Sequence, residues 1–167
     1  QAVNAVVEGC RNVAAVGATP WCITDCLNYG NPEKPDQMWQ FVRGIEGIRD
    51  AQKGIGLIEE KEEEPAGKSG KKSKKKAQVH PLPCISGNVS FYNVSEKNTI
   101  APQALIATLG RLPDAKRAVT MEFKKSGNHL FLIGQRSQEL GGSCYYDIQG
   151  ELGSALPMPD FGQTRRE

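Results

Sequence analysis

The sequence, 167 residues long, contains no apolar run approaching the roughly 18 residues that a membrane-crossing helix requires. Its first residues also lack the basic-then-apolar order of a secretory signal. These two absences disfavour a membrane or exported protein, and the expected compartment is the cytoplasm. Histidine is nearly missing: His80 and His129 are the two present, and neither has a partner at metal-ligand spacing. Cys10, Cys22, Cys26, Cys84 and Cys144 are odd in number and lie mostly within apolar runs, so they are expected to be buried, reduced thiols. Cys22 and Cys26 are followed by no second pair of ligands with finger-like spacing, and a zinc site is not expected.

Net charge is also lacking, except in one place. The net charge is +2, and the stretch from Glu59 to Lys76, with seven lysines and five glutamates, accounts for all of it. The remainder offers no basic face for nucleic acid. Lys71, Lys72, Lys74, Lys75 and Lys76 have no aromatics interleaved, and a solvated loop is favoured over a polyanion site. The segment carries almost no apolar residue to offset the entropy of ordering, so a mobile insertion is expected over about residues 57–80.

Elsewhere helix and strand signals alternate. Val3, Val6, Val7, Cys10, Val13 and Ala14 follow helical spacing, and Gly17 supplies the stop. Trp21–Thr24 reads as a strand that delivers Asp25 into the turn-rich string from Cys26 to Pro32. A second helix opens at Pro35, with Met38, Phe41, Val42, Ile45 and Ile48 as its buried stripe; Trp39 and Phe41 are read as core. Leu82–Ser86 is a strand running into the polar string Gly87–Asn93. Thr99–Leu112 is strand-prone, with Leu105, Ile106 and Leu109 buried on two faces, and Pro113 marks a boundary. His129–Gly134 reads as a further strand, and Glu139–Ser143 as the opening of a helix before a Pro-rich tail. The class is α/β or α+β.

Strand ends in open sheets commonly hold ligands. A glycine such as Gly87 lets backbone N–H groups approach phosphate, the hydroxyl of Ser90 adds a donor, and the amide oxygen of Asn88 suits magnesium. Residue types alone leave this open, because a Gly-Asn pair is also a turn signal and Asp25 is also a cap or turn former. No Walker-type loop and no dinucleotide fingerprint is present.

Three longer strings, residues 11–20, 23–35 and 86–93, occur in an order that resembles successive motifs of the synthetase subunit of phosphoribosylformylglycinamidine synthase, in its small bacterial form. Glu139–Ser143 is similar to a later motif. The resemblance implies residues 1–112 to be the later part of an aminoimidazole ribonucleotide synthetase-like N-terminal-type domain, carrying the charged insertion. Residues 113–167 would start its C-terminal-type α/β domain.

The resemblance also implies an activity. ATP phosphorylates the amide oxygen of formylglycinamide ribonucleotide, and glutamine-derived ammonia displaces phosphate to leave the amidine, a step of purine biosynthesis. By motif, Asp25 and Gly87 match ATP contacts, Asn88 a magnesium ligand and Ser90 a substrate contact. ATP and Mg2+ are the implied cofactors, and a glutaminase subunit and a small accessory subunit the implied partners. The family's catalytic histidine and acidic magnesium ligands belong to a first half that these residues do not match. No catalytic residue is therefore assigned, neither His80 nor His129 is promoted, and the chain is expected to be a fragment of the second half. The rival readings are a non-catalytic nucleotide-holding half and another synthetase of the same superfamily.

Overall fold

The alternating segments form a mixed α/β chain in the computed structural model, which describes residues 1–59, 78–135 and 137–166. Two units are distinguishable, Gln1–Thr120 and Met121–Glu167. Among the described residues no helix is long and apolar enough to cross a membrane.

In the first unit, α1 (Ala2–Ala15) buries Ala2, Val6, Val7 and Cys10 along one stripe. It ends where Gly17 turns to φ +91 and its N–H donates to the Ala14 carbonyl. Only glycine takes that backbone conformation without cost. The burial that holds α1 pushes the Cys10 thiol up to about 11. The next strand, β1 (Thr19–Asn28), is longer than its apolar core suggests. After it, α2 (Pro35–Ile55) starts with Pro at its first turn and Asp36 at its positive end, and stops at Gly56, φ +62. Two short strands, β2 (Leu57–Glu59) and β3 (Gln78–His80), pair antiparallel, so the ends of the expected insertion form a ladder. Residues 60–77, where the mobile loop was expected, lie outside the described residues.

The main sheet adds β4 (Cys84–Ser90) and β5 (Gln103–Arg111) in the order β4-β1-β5. β1 runs parallel to β4 and antiparallel to β5. Ile23 and Leu27 point from β1 into the core with Val6 and Leu82, each such side chain contributing roughly 1.5–3 kcal/mol by leaving water. α1 lies on β5, close enough that a Cβ on Gly9 would fall 2.3 Å from Thr108 Oγ1. α2 lies on α1, with Gly47 against Val3.

Several side chains sit differently from the sequence reading. Trp39 is 63% exposed, and Met38, Val42 and Ile45 are exposed too, because α2 turns its Gln37, Ile48, Ala51 and Ile55 side inward. Phe41 is partly buried, wedged edge-on between Tyr29 and Phe91. Leu105 is 56% exposed and Leu109 is exposed as well, since one face of β5 has no layer on it among the described residues. Of the thiols, all free, Cys10 and Cys22 are buried, Cys26 is partly so, and Cys84 and Cys144 are exposed.

In the second unit Ser143 caps α3 (Cys144–Ile148), as the sequence suggested, and the tail forms α4 (Phe161–Arg166) with Asp160 accepting from the Gln163 N–H at 2.9 Å. His129–Gly134 is not a strand, because no described segment pairs with it, and Leu130, Phe131, Leu132 and Ile133 are exposed.

The α1–β5 contact is testable. Alanine at a helical glycine normally gains up to about 1 kcal/mol, but Thr108 is short, β-branched and half-buried, and its buried Oγ1 has no hydrogen-bond partner among the described residues. Gly9→Ala is expected to destabilise the chain by about 1–3 kcal/mol in urea unfolding. Thr108→Ala should restore part of that loss, so the double-mutant cycle should show coupling.

Candidate functional site

The four residues singled out for ligand contact all lie within strands, not in the loops beyond them. β1 continues through Asp25 to Asn28 because both its edges find partners. Asp25 pairs with Gly87 and Ile106, and Asn28 with Ser90 and Gln103. Pairing on two sides satisfies the backbone of a segment whose composition reads as a turn.

Register then sorts the side chains. Asp25 and Gly87 are neighbours on the face that α1 covers, with Ile23, Leu27, Ile106 and Thr108. The Asp25 carboxylate occupies the space over Gly87: a Cβ there would lie 2.2 Å from Oδ1 and 2.6 Å from Cγ. Glycine at 87 is therefore required by the carboxylate rather than by a turn. On the opposite face Thr24 Oγ1 meets Ser86 Oγ at 2.6 Å and donates to the Ser86 carbonyl at 2.9 Å. Alternation along β4 puts Asn88 and Ser90 on that same face. The structure thus joins Asp25 to Gly87 and Asn88 to Ser90, but parts the two pairs by the thickness of the sheet.

A bulge refines the first pair. Ile23 pairs with Cys84 while Thr24 pairs with Ser86, so Ile85 is an extra residue. Strict alternation from Gly87 would place Cys84 on the hydroxyl face, whereas the bulge re-aims it to Asp25, where Sγ donates to Oδ2 at 3.4 Å. Desolvation pushes the Cys84 thiol pKa up, and the hydrogen bond and charge of Asp25 push it further the same way.

The end of β4 is fastened to the end of β1. Tyr29 N–H donates to the Ser90 carbonyl at 2.9 Å, and Asn93 Nδ2 donates to both the Ser90 and Tyr29 carbonyls, each at 2.9 Å. Below this junction the rings of Tyr29, Phe41 and Phe91 stack edge to face, and burial pushes the Tyr29 phenol pKa up. Gly44 of α2 makes room for the phenol, since a Cβ there would fall 2.0 Å from Tyr29 Oη. The sequence reading missed Cys84, Thr24, Ser86 and Asn93. A polar residue beside a strand signals Asn93, but the bulge that recruits Cys84 leaves no mark in composition.

Residues 1–112 match the family model described as AIR synthase related protein, N-terminal domain. The chain belongs to this family. Within it, the chain is 43% identical over 163 residues to the phosphoribosylformylglycinamidine synthase subunit PurL of Methanothrix thermoacetophila, which covers 97% of this chain and 19% of the relative. It is 42% identical over 158 residues to PurL of Wolinella succinogenes, covering 94% of this chain and 18% of that one. The chain thus spans about a fifth of the length of these curated relatives. Among solved structures, PurLQS from Thermotoga maritima superimposes with a TM-score of 0.52 at 24% identity, over 72% of this chain and 16% of that one, a likeness of fold. The AIR synthase related family accordingly supplies the frame in which the strand pair β1/β4 is read.

Asp25 acts on Cys84 in a way that can be measured. Asp25→Asn removes the negative charge that holds the thiol protonated, so alkylation of Cys84 at pH 8 is expected to accelerate by about two- to fivefold. Mass spectrometry of the labelled Cys84 peptide checks this; an unchanged rate would mean the carboxylate does not face the sulfur.

Proposed function

We propose that this chain is part of an ATP-dependent carbon–nitrogen ligase subunit that converts formylglycinamide ribonucleotide to the amidine, using ammonia derived from glutamine. The carrying observation is the oxygen-rich row on the outer strand β4. Ser86, Asn88 and Ser90 share one face beside Thr24, while Asp25 and Gly87 meet directly behind them. The PurL relatives named above, similar over nearly the whole of this chain, support this reading.

In this reading Asp25 and Gly87 contact ATP, Asn88 holds magnesium and Ser90 contacts the formylglycinamide substrate. The donor set on the open face suits magnesium, since it is made of amide and hydroxyl oxygens, hard ligands that share the ion with phosphate. Among the described residues no three His, Cys, Asp or Glu side chains gather, so Asn88 would act with phosphate oxygens and ligands from outside them. Magnesium, when bound, neutralises phosphate charge during phosphoryl transfer. The chain's own residues position: β4 is an outer strand, Gly87 and Asn88 are exposed, and the Tyr29–Asn93 fastening holds Ser90 in place. The reaction so read is driven by orientation and charge neutralisation rather than by a covalent nucleophile.

The same reading makes residues 1–112 the later part of a nucleotide-binding domain and 113–167 the start of a C-terminal-type α/β domain. The full subunit would meet a glutaminase subunit and a small accessory subunit in the cytoplasm.

Two measurements test it. The 167-residue chain alone, given ATP, magnesium, ammonia and substrate, is expected to form no substrate-dependent ADP, because the general base and acidic magnesium ligands lie in residues it does not contain. In the full-length subunit, Asn88→Ala should raise the magnesium concentration needed for half-maximal rate. Ser90→Ala should instead weaken substrate binding by about 1–3 kcal/mol. Wild-type kinetics in both variants would remove the open face from the site.

A further inference from the structure

Tyr92 is the one described non-glycine residue with a left-handed backbone, φ 57. For a bulky residue this conformation is unfavourable and persists only where surrounding contacts impose it. They do so here: the Tyr92 N–H donates to the Gly30 carbonyl at 2.9 Å, the Asn93 N–H to the Tyr29 carbonyl at 3.2 Å, and the Val94 N–H to the Tyr92 carbonyl at 2.8 Å. None of these bonds uses the ring, and glycine would make all of them at less cost. Nor does packing compensate, because Tyr92 is 55% exposed. Its phenol is already engaged by Glu33, whose backbone is set by a 2.8 Å bond from its N–H to Asn31 Oδ1. Desolvation, and after it the charge of Glu33 and the hydrogen bond to it, push the phenol pKa up. What remains available is the ring face, two residues beyond Ser90.

We propose that the ring of Tyr92 is a specificity-determining contact for the ribonucleotide held at Ser90, its face taking the apolar side of a ribose while Glu33 fixes its orientation. This rests on the reading of Ser90 as a substrate contact. An aromatic face against the C–H side of a sugar gives contact area at small entropic cost, and its loss is felt in substrate affinity rather than in phosphoryl chemistry.

The test uses steady-state kinetics of the full-length subunit with Tyr92→Gly, Tyr92→Asn and Tyr92→Phe, alongside Ser90→Ala. Glycine and asparagine accept the left-handed backbone, so melting temperatures should stay within about 3 °C of wild type. Both variants are expected to raise KM for formylglycinamide ribonucleotide about tenfold. KM for ATP and kcat should stay within about twofold, and Tyr92→Phe, which keeps the ring, should hold the substrate KM within about threefold. The inference is overturned if Gly and Asn keep the wild-type KM, if Phe is as impaired as Gly, or if both Gly and Asn melt well below wild type. With Ser90→Ala impaired, those outcomes remove Tyr92 alone. If Ser90→Ala also behaves as wild type, the reading of the site falls with it.

Discussion

Everything in the first unit hangs on β1 being hydrogen-bonded along both edges. A ten-residue strand with Asp, Asn and two Cys in it has little intrinsic claim to extended structure. Its parallel partner β4 and antiparallel partner β5 satisfy its backbone on either side, which carries it past Asp25 to Asn28. In the order β4-β1-β5 of the described residues β4 lies at an edge, and a polar, glycine-containing strand suits that place better than an apolar one. That edge carries the exposed Ser86 and Asn88.

The sheet then acts as a partition. Its helix-covered face takes Ile23 and Leu27 into the core and places the half-buried Asp25 between Gly87 and Cys84, both exposed. Its open face carries hydroxyls and amides along β4 and β1, and exposed leucines along β5. The two pairs of candidate residues therefore experience different surroundings. The Asp25 carboxylate packs over Gly87 and accepts from the Cys84 thiol, whereas on the other face Asn88 is exposed and Ser90 half-buried. A single extra residue, Ile85, decides which face Cys84 joins.

Glycines mark the places where elements approach most closely. Gly9 admits Thr108, Gly44 admits the Tyr29 phenol, Gly47 admits Val3, and Gly87 admits the Asp25 carboxylate. Each trades a side chain for proximity, and together they bring two helices and a strand edge nearer than alanine would allow. Tyr92 is the converse case, a large side chain kept where glycine would fit.

The sequence by itself determined the two helices of the first unit and the apolar cores of its longer strands, but not the short strands β2 and β3, which lie where a mobile insertion was expected. α1 and α2 were legible from apolar spacing, from Pro35 and from Gly17 and Gly56, because helices are local structures whose signals lie within a few residues of one another. The motif strings around Asp25 and Gly87–Asn93 also named the family before any geometry. Pairing was not legible. Whether Asp25 sits in a loop or a strand depends on β4 and β5, dozens of residues away, and the same holds for His129–Gly134, whose strand-like composition finds no partner among the described residues. Burial followed the same rule: Trp39, Leu105 and Leu109 look like core, but only the packing of α1 and α2 decided which sides they face. Side-chain alternation is fixed once register is fixed, and register is set by contacts distant in sequence. That is why the four candidate residues could be named from the sequence, while their division between two faces came only from the tertiary structure.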